Sequence, residues 1–325
     1  MPDGDSGGAL AAVSFNSGSS RPLRGWLIVR VEIATATDGG TVHSLDSALV
    51  LGPGGHVGTA WMVGLAHGLR GLGVDLGAAD LVVGTSAGAI VGGALATGQD
   101  LAHFADPVGS SGDGPRPPQA DPQRMGEVFA VLGAGLPPEE ARRRVGRIAL
   151  DAADPEAERA LVAVRRRLVG TDAWPTEPRL LIPAVEAGSG EPVVWDRDSG
   201  VPLAAAVAAS SSFPGAAPPV SIGGRHYIDG ALRAGTNVDL AAGARTLVVV
   251  EPMARQAPVQ EALAALGAET VVSLFPDEAS AATLGTDPSD PSAWVPAFRA
   301  GRLQAAAARK QLADSWAPAR GESLA

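Results

Sequence analysis

The sequence contains no cysteine, which excludes a disulfide framework, a thiolate metal site and a cysteine nucleophile. Histidine is sparse: the five, at positions 43, 56, 67, 103 and 226, are spaced so that no two stand three or four positions apart, as a pair of ligands on one helical face would. No metal site is therefore expected, and no cofactor. Lysine is almost missing, with Lys310 the single one among 25 basic residues. That skew toward Arg, with heavy use of Ala, Gly and Pro, reads as the codon bias of a GC-rich coding sequence. The formal net charge is −10, and the only dense basic runs are Arg142–Arg144 and Arg165–Arg167. A surface that tracks nucleic-acid phosphates is not expected from such a balance, so nucleic acid is excluded as the main partner.

Clean apolar runs are also lacking. Ser47–Leu69 and Leu81–Gln99 are uncharged and long enough to raise the question of membrane spans, but glycines break both, and the first also holds Pro53, His56 and His67. Such segments suit the interior of an α/β fold, where parallel strands covered on both faces lose their polar alternation. Trp26–Ile33 is interrupted by Arg30 and Glu32. No secretory leader is expected there, which makes a cytoplasmic location the expectation.

The 325 residues are 46% hydrophobic, ample for a large core. Glycine and proline together make up about a fifth of the chain, which implies many turns and close backbone approaches. Residues 1–45 are Gly-, Ser- and Asp-rich at their start, with one β-branched stretch at Trp26–Thr37, and read as a flexible extension. From Ala48 the pattern becomes regular. A strand at Ala48–Leu51, a glycine turn, a helix to about Leu72, a strand at Leu81–Val83 and a helix at Ala87–Thr97 predict a βαβα unit, hence a parallel sheet with right-handed crossovers. Asp106–Gln123 reads as an exposed loop. Pro137–Glu140 and Asp154–Glu156 start helices, with proline and acids in the first turn. Their arginines, Arg142–Arg144 and Arg165–Arg167, could face an anionic lipid surface, but the expectation is a solvated face paired with Glu139 and Glu140 at helical spacing. Further strands are expected at Leu180–Val185, Pro192–Trp195, Thr246–Val250 and Val271–Leu274 and in a segment ending at Tyr227–Ile228, with helices over 203–209, 257–266 and 296–313.

Gly84-Thr85-Ser86-Ala87-Gly88 lies between a predicted strand and a predicted helix. In that context Gly-x-Ser-x-Gly forms a sharp turn that lifts the serine to the carboxyl end of the strand, above a helix N-terminus suited to developing negative charge. Ser86 is thus a candidate nucleophile; the plainer role is that of a helix cap. A serine needs a base, and the histidines that follow it, His103 and His226, lack the surroundings of a Ser-Asp-His triad. A carboxylate at a strand end could act directly, and Asp229, in Tyr227-Ile228-Asp229-Gly230-Ala231, meets that description. The same Asp-Gly pair would also suit a hairpin turn. A third element, Gly52-Pro53-Gly54-Gly55-His56-Val57-Gly58, follows the first strand. Pro53 has no N–H, so Gly54 and Gly55 would be the donors to an oxyanion.

In this order, and with Ser211–Val220 ahead of Asp229, the three motifs resemble the patatin-like phospholipase family over roughly Ala48–Glu251. The resemblance implies a three-layer α/β/α sandwich with a central, mainly parallel sheet and a Ser-Asp dyad acting on lipid acyl esters. Carried over by position, Ser86 is the nucleophile, Asp229 the base, and Gly54 and Gly55 the oxyanion hole. Gly52, Gly58, Gly84, Gly88 and Gly230 support the motifs. Residues 46–325 would be the catalytic domain, with a helical cap within about 101–178, a lipid or acyl-ester substrate and transient contact with a membrane surface. The glycine loop departs from the family pattern, because Val57 stands where an Arg or Lys is usual. Two alternatives remain open: an α/β-hydrolase-type esterase using His226 in a triad, and a catalytically weak or inactive regulatory protein on the same fold.

Overall fold

In the computed structural model the described residues are 45–105, 120–253, 263, 266–313 and 315–316. The expected N-terminal extension, most of the Asp106–Gln123 loop and nearly all of the 257–266 helix lie outside them. The first apolar run forms β1 (Ser47–Leu51), followed by α1 (Gly55–Gly71), β2 (Leu81–Gly84) and α2 (Ala87–Ala96). Three helices come next, α3 (Pro122–Gly133), α4 (Pro138–Leu150) and α5 (Pro155–Val169), and then β3 (Arg179–Glu186), β4 (Pro192–Trp195) and α6 (Leu203–Ser210). The rest comprises β5 (Val220–Ile222), β6 (Arg225–Asp229), α7 (Ala231–Ala234), β7 (Thr246–Val250), β8 (Thr270–Leu274), α8 (Glu278–Leu284) and α9 (Trp294–Leu312).

The eight strands form one mixed sheet in the order β5-β6-β3-β2-β1-β7-β8, with β4 also paired to β3. From β3 to β8 every neighbour is parallel; β4 and β6 join β3 antiparallel, as does β5 to β6. Side chains alternate across each strand, and here both faces are buried. Leu49, Leu51, Val82, Val248 and Val250 point into one cluster with Trp61, Leu65, Ile90 and Phe298 from the helices, whereas Ala48, Val50, Val83, Leu247 and Val249 point into another with Val238 and Ala241. That is the three-layer α/β/α arrangement, and it explains the unbroken apolar strands. Register aligns Leu51 with both Gly84 and Val250, so the turns leaving β1, β2 and β7 gather at one edge of the sheet.

Helix α3 begins inside the segment expected to be a loop. Asp121 accepts hydrogen bonds from the Gln123 and Arg124 N–H groups and Pro122 opens the helix, the same Asp-Pro start that was read correctly at Asp154-Pro155. The surrounding Gly, Ser and Pro obscured it.

Candidate active site

Ser86 sits between β2 and α2 with φ 57° and ψ −116°, a left-handed conformation that a side-chain-bearing residue holds only when its surroundings impose it. The imposition comes from close backbone packing. A Cβ on Gly88 would lie 2.0 Å from the Leu51 carbonyl oxygen, so only glycine lets α2 start against the end of β1. Gly88 N–H also donates to Gly52 O at 3.1 Å, joining the serine turn to the glycine loop.

Asp229 ends β6, paired with Ala184 of β3. Ser86 Oγ donates to Asp229 Oδ2 at 2.7 Å, across 143 positions of sequence, and both residues are buried. The other carboxylate oxygen accepts the Ala231 N–H at 2.8 Å. Gly230 permits the turn, since a Cβ there would meet Pro183 O at 2.2 Å. The hairpin expected as the plainer role of Asp-Gly lies elsewhere, between β5 and β6.

The segment Ser210–Ser212, at the end of α6, steadies both partners. Ser210 Oγ accepts the Ser86 N–H at 3.2 Å, its carbonyl accepts the Gly230 N–H at 3.2 Å, and Ser212 O accepts the Asp229 N–H at 3.1 Å. This clamp was not recognised from sequence, although the serine cluster ahead of Phe213-Pro214 is its signal.

Burial pushes the Asp229 carboxyl up to about 7, against the opposing pull of the Ala231 N–H, the Ser86 hydroxyl and the Arg165 charge. Arg165 corrects the expectation of a solvated arginine face. Arg143 and Arg144 do pair with Glu139 and Glu140, but Arg165 of α5 turns inward, donates from Nε to Ser211 Oγ at 2.9 Å, and is desolvated enough to lower its pKa to about 10.

The glycine loop caps α1. Gly52 N–H donates to Val250 O at 2.9 Å, and Gly58 N–H to Gly54 O at 2.9 Å. Gly55 has φ +60° and lies where a Cβ would meet Pro288 O at 2.6 Å. Among the described residues no protein acceptor takes the N–H groups of Gly54, Gly55 or Ala87. Val57 is buried in the core. His56 packs on Trp294 with ring centroids 4.4 Å apart, and burial lowers its pKa to about 4, which leaves it neutral.

His226 lies three positions before Asp229 on β6, hence on the opposite face of the strand. His103 is highly exposed, 3.8 Å from Asp100. Neither histidine hydrogen-bonds to Ser86.

Residues 49–242 match the family model described as Patatin-like phospholipase. Among solved structures the chain is similar to VipD from Legionella pneumophila, with 13% identity and a TM-score of 0.42 over 84% of this chain and 67% of that one. It is also similar to the type III effector protein ExoU, with 17% identity and a TM-score of 0.38 over 82% of this chain and 53% of that one. The chain therefore spans about two thirds of the first and half of the second. No curated protein matches its sequence. Among the described residues no helix is long and apolar enough to cross a membrane.

Proposed function

From the premise that this chain belongs to the patatin-like phospholipase family, we propose that it is a serine lipid acyl hydrolase working through Ser86 and Asp229. The observation that carries the reading is the 2.7 Å hydrogen bond from Ser86 Oγ to Asp229 Oδ2, made by a serine held at positive φ. Asp229 takes the hydroxyl proton as Oγ bonds to the ester carbonyl carbon. The resulting oxyanion is received by the Gly54 and Gly55 N–H groups, joined by that of Ala87 at the start of α2. Collapse breaks the ester C–O bond, and the leaving alcohol takes the proton from Asp229. Water then attacks the acyl-enzyme, giving its proton to Asp229, and the carboxylic acid leaves as Ser86 regains a proton.

A triad through His226 gains no support, because Ser86 already donates to a carboxylate and His226 faces away. The region 101–178 would serve as the cap, with α3, α4 and α5 as its helices. The test is covalent labelling by a fluorophosphonate beside p-nitrophenyl ester turnover. Wild type should label and turn over, while Ser86→Ala should do neither. Asp229→Asn should lose about 100-fold or more in turnover, as expected for removal of a positioned base. Full activity in either variant refutes the reading, and an unlabelled, inactive wild type would favour a regulatory role on the same fold.

A further inference from the structure

We infer that Arg165 is a specificity-determining residue whose guanidinium receives an anionic group of the phosphate class carried by the ester substrate. This rests on the reading of Ser86 and Asp229 as an acyl-hydrolysing pair. Arg165 is fixed in place by the 2.9 Å bond from Nε to Ser211 Oγ. Ser211 lies between the two serines that hold the backbone of Ser86 and of Gly230 and Asp229, so the guanidinium is tied to the segment that positions the reacting groups, and its charge acts on Asp229.

The remaining donors of Arg165 are unused. Its neighbour Arg166 pairs with Asp172 at 2.7 Å, and Arg143 and Arg144 pair with glutamates. Both Nη groups of Arg165, by contrast, find no hydrogen-bond or ion-pair acceptor among the described residues. Nor are they sealed off, since among the described residues the fully buried side-chain atoms left without a partner are Arg70 Nε and Ser315 Oγ. The acid that acts on Arg165 is Asp229, whose two oxygens are already taken by Ser86 and Ala231.

A planar fork with free Nη donors in a largely dry site matches a phosphate oxygen pair in geometry and charge. The glycine loop adds no competing cation. Val57 is buried and the loop's histidine is neutral, whereas the Arg165 charge acts on both His56 and Asp229.

The test compares kcat/KM for a lysophosphatidylglycerol and a monoacylglycerol with the same acyl chain, in wild type, Arg165→Gln and Arg165→Lys, at pH 9, where Asp229 is ionised. The ratio of the two values is read within each variant, so a loss of folded fraction cancels. Wild type should favour the phosphate-bearing ester. Arg165→Gln should cut the ratio about 10- to 100-fold, the range for a charge-assisted hydrogen bond, and Arg165→Lys should restore part of it. A wild-type ratio near one, or a ratio unchanged by Arg165→Gln, overturns the proposal. So does a site for free phosphate alone, seen as inhibition of wild type by inorganic phosphate with the ratio unchanged in the variant. If wild type hydrolyses neither ester, the hydrolase reading fails and takes this inference with it; hydrolysis of both without discrimination removes this inference only.

Discussion

The side-chain amide of Asn237 donates to the hydroxyl of Thr85 at 3.1 Å, and the same nitrogen lies 3.1 Å from the carbonyl oxygen of Gly230. Thr85 precedes Ser86 and Gly230 follows Asp229, so one buried amide ties together the two turns that carry the candidate pair. Asn237 itself holds φ 57°, a conformation that asparagine tolerates better than most residues.

Asn237→Gly keeps that backbone freedom and deletes the tie. The expected outcome is a fall in kcat of about tenfold or more for a p-nitrophenyl ester, with a smaller change in KM, and a stability loss of about 1–3 kcal/mol for the unsatisfied buried groups. Steady-state kinetics and urea unfolding check it. Wild-type kcat in a variant destabilised to that extent would mean that the tie supports the fold without positioning the pair.

Activity should rise with pH to a plateau, with a midpoint near 7, because Asp229 must be ionised to accept the Ser86 proton and burial raises its pKa to about 7. The Arg165 charge opposes that rise, so Arg165→Gln should move the midpoint upward. A kcat/KM profile of each variant from pH 5 to 9 is the measurement. A flat wild-type profile over that range would remove Asp229 as the base.

The strands and the nucleophile turn were legible because their signals are local. Apolar β-branched runs such as Thr246–Val250 specify doubly covered strands, and Gly84 and Gly88 around Ser86 announce a tight turn wherever it falls in space. Asp229 was legible as a strand-end acid, but its meeting with Ser86 is set by the register of Asp229 with Ala184, which no local pattern encodes. Arg165 illustrates the limit. In sequence it is one of three consecutive arginines near the end of an amphipathic helix, and only the packing of α5 on α6 separates it from Arg166. Ser210 and Ser212 were hidden for the same reason: their role is defined by what lies across from them.

The raised pKa of Asp229 also predicts a trade between stability and function. In the unfolded chain the carboxyl ionises near 4, while in the folded protein it holds its proton to about 7. Between those values the folded state binds more protons than the unfolded one, so stability falls as pH rises and the loss persists above 7. Asp229→Asn has no proton to lose. The variant should be more stable than wild type at pH 8, by on the order of a few kcal/mol, with the gap narrowing toward pH 4. Urea midpoints at pH 4, 6 and 8 would show it; a gap independent of pH would contradict the linkage.

Contact with a lipid surface is expected to involve α3, where Phe129 and Leu132 are 57% and 41% exposed and, three residues apart, share one helix face. Phe129→Glu with Leu132→Glu should lower hydrolysis of vesicle-borne lipid about tenfold or more, since burial of each large apolar side chain contributes about 1.5–3 kcal/mol. Turnover of a soluble short-chain ester is the reference. Equal losses on both substrates would assign these residues to the fold instead.

Two glycine substitutions set helix propensity against backbone packing. Alanine favours a helix interior over glycine by about 1 kcal/mol, and at Gly71, the last residue of α1, a Cβ would meet nothing within 4 Å. Gly71→Ala should therefore stabilise by about 0.5–1 kcal/mol and leave ester turnover unchanged. Gly88 also lies in a helix, but there the added Cβ would sit 2.0 Å from Leu51 O. Strand β1 is held on one side by β2 and on the other by β7, so it cannot give way cheaply. Gly88→Ala should destabilise by about 1–3 kcal/mol despite its better propensity. It should also push the Ser86 turn off β1 and lower kcat by about 100-fold, the cost typical of a misplaced reacting group. Urea unfolding and ester turnover on the two variants side by side make the comparison; a Gly88→Ala protein as stable and active as Gly71→Ala would mean that the close approach of α2 to Leu51 does not hold the turn.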